Sequence, residues 1–208
     1  MNVYLKKNIK NIIINSENIL DNRKKTLLNI SNYIKEKVLK KNVVNLVFIC
    51  THNSRRSQLA QVWSYVAINY YKLENIKVFS GGTEVDVFNF NVINSLKKSG
   101  LIIETIKKNK FLIKISEQNK GLKYYSKKYD SKDNPKSDFL AIMTCSNADE
   151  KCSIIRGSEK KTFLPYKDPK TSDGSGNEKK IYDQTCFYIA QEMFLIMKNV
   201  KKSFKTCS

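Results

Sequence analysis

His52 is the only histidine in the 208 residues, and no two cysteines stand at the Cys-x2-Cys spacing. A zinc centre, and any other bound metal, is therefore not expected. Arginine is scarce as well: Arg23, Arg55, Arg56 and Arg156 are four among 38 basic residues, and the rest are lysine. No segment approaches the roughly 18 consecutive apolar residues of a membrane span. The stretch from Met1 to Leu20 has no uninterrupted apolar run of the signal-peptide kind. These absences predict a cytoplasmic protein without a membrane partner. Acidic residues number 19, which leaves a net charge of +19. Such a charge suits nucleic acid or an anionic surface, but the lysines are spread along the whole chain and no basic run is interleaved with aromatics. A solvated surface is expected, and a nucleic-acid partner is not. The five cysteines, Cys50, Cys145, Cys152, Cys186 and Cys207, are odd in number and scattered, unlike a disulfide framework. In a reducing compartment, working cysteines would be thiols that cycle.

What is present is enough for a real core, at 41% hydrophobic and 11% aromatic residues. Residues 1–42 read as a helical N-terminal extension, with Leu27, Ile30, Ile34 and Val38 at three- and four-residue steps and lysines opposite. From Val43 to Ile49 the chain is short, β-branched and almost wholly apolar, as a parallel strand buried on both faces should be. Ser57–Tyr71 carries a helical face, Ile76–Ser80 reads as a second strand stopped by Gly81-Gly82, and Asn89–Ser99 reads as a helix closed by Gly100. Residues of about 105–137 are less regular. Two β-like runs flanking Asn119-Lys120-Gly121 predict a β-hairpin insertion there. Phe139–Thr144 and Thr162–Leu164 complete four strands, and a final helix carries Tyr182, Cys186, Ile189, Met193, Ile196 and Val200 on one face. Strands alternating with helices predict an α/β domain over residues 43–208 with a doubly wound four-stranded parallel sheet. Ligands of such sheets bind beyond the carboxyl ends of the strands, where Cys50, Cys145 and Asp168 fall.

Cys50-Thr51-His52-Asn53-Ser54-Arg55-Arg56-Ser57 is a Cys-x5-Arg-Ser stretch between a strand and a helix. Five intervening residues can wrap into a loop whose N–H groups point inward, with the positive pole of the helix behind it. The product is a cradle for a tetrahedral oxyanion, in which Arg56 can clamp two oxygens. The same field favours a thiolate, and Ser57 is placed to donate to its sulfur. Asn53 can hold the tight loop through its own backbone. The bland alternative is a core cysteine at a strand end beside a surface arginine. Further on, six residues separate Cys145 from Cys152. They cannot meet in one rigid helix, so they are either unrelated structural thiols or a pair joined by rearrangement of Ser146–Lys151. Asp168-Pro169 is either a turn former or, if its loop faces Cys50, a general acid.

Taken together, Cys50-Thr51-x-Asn53-Ser54-x-Arg56-Ser57-Gln58, Ser80-Gly81-Gly82-Thr83-Glu84, Thr144-Cys145 through Cys152, and Asp168-Pro169 resemble the low-molecular-weight protein tyrosine phosphatase superfamily. Within it they are similar to the thioredoxin-coupled arsenate reductases, which carry Gln where phosphatases carry Pro after the loop serine. His52 and Arg55 stand where Gly and Cys are more common, and Asn91 follows Phe90 where the family has Asn-Pro. The resemblance implies that Cys50 attacks arsenate held by Arg56 and the loop from Thr51 through His52, Asn53, Ser54 and Arg55 to Ser57, with Asp168 as proton donor. It implies a relay through Cys145 and Cys152, no bound cofactor, and thioredoxin or another thiol as reductant. Its alternative implication is hydrolysis of phosphotyrosine through a phosphocysteine at Cys50. Cys186 and Cys207 have no part in either.

Overall fold

A computed structural model of the chain describes residues 1–151 and 154–205. It opens with two helices, α1 (Val3–Asn15) and α2 (Asp21–Leu39), joined by a 3-10 turn at Ser16–Asn18. Asn2 caps α1 by accepting from the Leu5 amide at 2.8 Å. These helices are not a loose appendage. Leu5, Ile9, Ile12, Leu27, Ile30 and Ile34 are fully buried in the same cluster as the residues of the sheet.

Strand β1 (Val44–Cys50) leads through a loop into α3 (Arg56–Tyr71), followed by β2 (Ile76–Gly82) and α4 (Phe90–Lys98). Three antiparallel strands come next: β3 (Ile102–Lys107), β4 (Lys110–Lys114) and β5 (Leu122–Tyr124). The chain then returns to the main sheet with β6 (Phe139–Met143), a six-residue helix α5 (Ser146–Lys151), β7 (Ser158–Phe163) and the long α6 (Glu178–Lys205). The main sheet has the order β2-β1-β6-β7, and every pairing in it is parallel.

The apolar run of β1 serves both faces of that sheet. Leu46 and Phe48 join the large core under α3 and α6, while Val47 and Ile49 join a smaller cluster with Met143, Cys145, Ala148 and Ile155. Alternation along a pleated strand produces this division, and beyond Asn45 the strand can be apolar throughout because Leu46–Cys50 is buried on both faces. Trp63 anchors α3 on α6, donating from Nε1 to Cys186 Sγ at 3.2 Å with its ring edge-on to Phe194. Burial pushes the Cys186 thiol up to about 12, so it stays protonated and structural.

The inserted segment is larger than the expected hairpin. Its first strand, Ile102–Lys107, pairs with Lys110–Lys114 through a tight turn at Lys108-Asn109, where Asn109 takes a left-handed φ of 59°. Beyond β5, the Gly82 amide donates to the Lys127 carbonyl and the Tyr129 amide to the Gly82 carbonyl. That bridge lays the insertion against the end of β2. No helix among the described residues is long and apolar enough to cross a membrane.

If the N-terminal helices are part of the core, Ile30→Ala should lower stability by about 2–5 kcal/mol, the range for truncating a buried branched chain. The check is a fall in the denaturant midpoint at unchanged slope. A midpoint equal to that of the wild type would detach α2 from the fold.

Candidate active site

The end of β1 places Cys50 at the floor of a loop made by residues 50–57, and Cys50 is 3% exposed. Asn53, in the middle, has a left-handed φ of 49°. Asparagine tolerates this region better than most residues. The turn brings the Asn53 amide to Cys50 Sγ at 3.2 Å. Asn53 Nδ2 donates to Ser57 Oγ at 2.9 Å, and Ser57 Oγ lies 3.1 Å from the same sulfur.

The loop carbonyls are drawn outward. Thr83, Glu84, Asp86 and Asn89 donate their amides to the carbonyls of Cys50, Thr51, His52 and Ser54, at 3.1, 2.8, 3.2 and 3.2 Å. Tying the carbonyls off on the convex side turns the loop amides to the concave side, where an anion can collect them. Gly82 must be glycine for that approach, since a Cβ there would lie 2.6 Å from the Thr51 carbonyl and 2.9 Å from the Asn53 nitrogen. At the rim, His52 Nε2 lies 3.3 Å from Glu84 Oε2.

The inserted segment completes the cradle from behind. Ser126 Oγ donates to the Asn53 carbonyl at 2.7 Å, and the Lys127 amide to Asn53 Oδ1 at 2.9 Å. Gln58 Nε2 reaches the Asn53 carbonyl, Asn53 Oδ1 and the Tyr125 carbonyl. Tyr125, Ser126 and Lys127 lie some seventy residues away in sequence and follow no pattern that reading the loop alone could find. Lys127 itself sits with Nζ 4.8 Å from the centre of the Tyr125 ring, and burial pushes its ammonium down to about 8.

The two arginines part company. Arg55 Nε donates to Tyr182 Oη at 2.7 Å and its NH2 to Asp173 at 3.3 Å, while Tyr182 Oη donates to Asp173 at 2.7 Å. Only the backbone of Arg55 is left for the cradle. Arg56 donates to the Tyr166 carbonyl at 3.3 Å and to Asp168 Oδ2. Its Nε is buried and has no partner among the described residues. An unpaired buried donor is costly, and an oxyanion in the cradle would satisfy it. Asp168 also caps the 3-10 turn Pro169–Ser172 by accepting from the Lys170 amide at 3.1 Å. The structure thus brings Cys50, Thr51, Asn53, Ser57, Arg56 and Asp168 to one place.

Cys145 follows the end of β6, beside β1, and is 2% exposed. Its sulfur lies 3.4 Å from Thr51 Oγ1, so the residue after Cys50 touches the second cysteine. Cys152 lies outside the described residues, as does Cys207. Between Cys145 and Cys152 the segment Ser146–Lys151 is helical, which carries the chain about 9 Å along the helix axis. Among the described residues no group of three or more His, Cys, Asp or Glu side chains could hold a metal ion.

Asn53→Ala should open the loop without unfolding the chain. Losing its bonds to Ser57, Gln58 and the Lys127 amide should weaken competitive inhibition by inorganic phosphate about tenfold or more, about 1.4 kcal/mol. Unchanged inhibition would show that Asn53 does not shape the cradle.

No protein-family model matches the chain. It is 31% identical over 124 residues to arsenate reductase 2 of Staphylococcus epidermidis, covering 60% of this chain and 77% of the relative. It is 28% identical over 139 residues to an arsenate reductase of Bacillus subtilis, covering 67% and 84%. Among solved structures, a low-molecular-weight phosphotyrosine phosphatase from Vibrio cholerae matches with a TM-score of 0.52 at 12% identity, covering 79% of this chain and 99% of that one. A low-molecular-weight protein tyrosine phosphatase from Bacillus subtilis matches with a TM-score of 0.50 at 15% identity, covering 77% and 99%. At those identities the two structures speak for the fold alone.

Proposed function

The chain belongs to the family of the arsenate reductases it matches, and we propose that it reduces arsenate to arsenite through Cys50, Cys145 and Cys152. The observation that carries this is the placement of Cys145 against Thr51, 3.4 Å from its hydroxyl, next to a cradle that already holds Cys50, Arg56 and Asp168.

In the first step the Cys50 sulfur, supported by the Asn53 amide and Ser57, attacks arsenic in the cradle. Arg56 and the inward amides hold the oxygens, and Asp168 gives its proton to the departing oxygen, which leaves as water. A sulfur–arsenic bond has formed and an arsenic–oxygen bond has broken. Next the Cys145 thiolate attacks the Cys50 sulfur. A Cys50–Cys145 disulfide forms, and the electron pair of the sulfur–arsenic bond stays on arsenic, which leaves as arsenite. Two thiols have lost the two electrons that arsenic has gained. Cys152 then attacks Cys145, frees Cys50 and leaves a Cys145–Cys152 disulfide, which a dithiol protein of the thioredoxin class reduces by exchange. The role of Cys152 rests on the sequence resemblance. A Cys145–Cys152 disulfide requires Cα atoms about 4.4–6.8 Å apart.

Phosphotyrosine hydrolysis is the second reading, because Cys50, Arg56 and Asp168 suffice for it and neither downstream cysteine is needed. An assay of p-nitrophenyl phosphate hydrolysis beside thioredoxin-driven arsenate reduction separates the two. Cys50→Ser should lose both activities by on the order of 10³-fold or more. Cys145→Ser and Cys152→Ser should lose only the reduction. Arsenate reduction by Cys145→Ser at the wild-type rate would end the three-cysteine relay, and a wild type that hydrolyses the phosphate ester but reduces no arsenate would leave hydrolysis as the function.

A further inference from the structure

The loop that carries Asp168 has no regular structure between β7 and its 3-10 turn, and side chains fasten it at both ends. One end is tied at Asp173 by Arg55 and Tyr182. The other is tied at Tyr166, and the tie comes from the N-terminal helices. Tyr166 Oη donates to Glu192 Oε2 on α6 at 2.6 Å. Arg23, on α2, grips the same carboxylate with its fork, Nε to Oε1 at 2.6 Å and NH2 to Oε2 at 2.9 Å. Its guanidinium also lies over the Tyr166 ring, 5.0 Å from the centroid.

Glu192 is 8% exposed, so this is a bidentate pair in poorly solvated surroundings, the setting in which such pairs hold geometry best. Burial and the Glu192 charge push the Tyr166 hydroxyl well above the usual range, which keeps it a donor to that carboxylate. The backbone of Tyr166 faces the cradle: its carbonyl accepts from Arg56 at 3.3 Å, and its amide donates to the Thr144 carbonyl at 3.1 Å. Two residues on, Asp168 meets the same guanidinium. An unbroken series of contacts therefore runs from Arg23 through Glu192 and Tyr166 to Arg56 and Asp168.

We propose that Arg23 is a positioning residue for proton donation: through Glu192 and Tyr166 it holds the Asp168 carboxyl over the leaving oxygen. A proton donor must be held to within about 0.5 Å of its working geometry, and although the Tyr166 ring also packs on the core, its one hydrogen bond among the described residues is to Glu192. The inference rests on Asp168 being the proton donor, so the experiment tests that role alongside.

Aryl phosphates of graded leaving ability supply the readout. Phenyl phosphate needs a proton on its departing oxygen, whereas 2,4-dinitrophenyl phosphate departs unaided. Arg23→Met keeps an apolar stem over Tyr166, and Tyr166→Phe cuts the link while leaving the Arg23–Glu192 pair whole. Both should slow phenyl phosphate about tenfold, a part of the roughly 10²–10⁴-fold that general acid catalysis supplies. Both should leave 2,4-dinitrophenyl phosphate within about twofold. Asp168→Asn should show the same selectivity in stronger form. If Asp168→Asn is selective and Tyr166→Phe is not, the strut is refuted while the proton donor stands. If Asp168→Asn slows both substrates equally, or the wild type cleaves neither, the donor role fails and the proposal with it. Should Arg23→Met fail to fold, Tyr166→Phe decides alone.

Discussion

Asn53 sits at a left-handed φ of 49° with the chain turning around it, and its hydrogen bonds determine where the sulfur, the hydroxyl and the amides of the cradle point. Its amide goes to Cys50 Sγ, its Nδ2 to Ser57 Oγ, and Ser57 closes the triangle on the same sulfur. Its carbonyl and Oδ1 are taken up by Ser126, Gln58 and the Lys127 amide. With every polar atom of a buried side chain engaged, the loop has little freedom to relax. A cradle that is rigid before the anion arrives need not reorganise when charge shifts during reaction. The insertion is thus part of the site, since Ser126 and Lys127 supply two of the hydrogen bonds that hold Asn53.

What the sequence revealed is what local pattern encodes. The apolar run into Cys50 reads as a doubly buried strand because both faces of β1 are dry. The Cys-x5-Arg spacing singles out Arg56, and Asp168 lies in the loop beyond the end of β7, at the start of the 3-10 turn Pro169–Ser172. Other features depend on distant partners. Arg23 and Glu192 are separated by 169 positions, and neither stands out in its own helix. Asp173 looks like one residue of a polar turn, and Tyr182 like one apolar position of α6, until Arg55 joins them. Strand β3 was hidden because it is half-exposed, with Glu104, Thr105 and Lys107 breaking its apolar pattern. The segment Ser146–Lys151, polar enough to read as a mobile connection, is a short helix. A helix of six residues is marginal by itself.

The site divides the chemistry into two parts. Under the proposed mechanism, cradle, Arg56 and Asp168 would serve any tetrahedral oxyanion with a departing oxygen, and so would fix the first bond made and broken and nothing beyond it. The second part depends on another sulfur reaching the first. Thr51 joins the two regions, being next to Cys50 in the chain and in contact with Cys145 across the sheet end.

That second sulfur gives the most direct test. Cys152→Ser should stall after one turnover with arsenate, because nothing remains to release Cys50. Peptide mapping without reductant should then find Cys50 joined to Cys145, accumulating in step with arsenite. Arsenite released while Cys50 and Cys145 both remain free thiols would contradict the account.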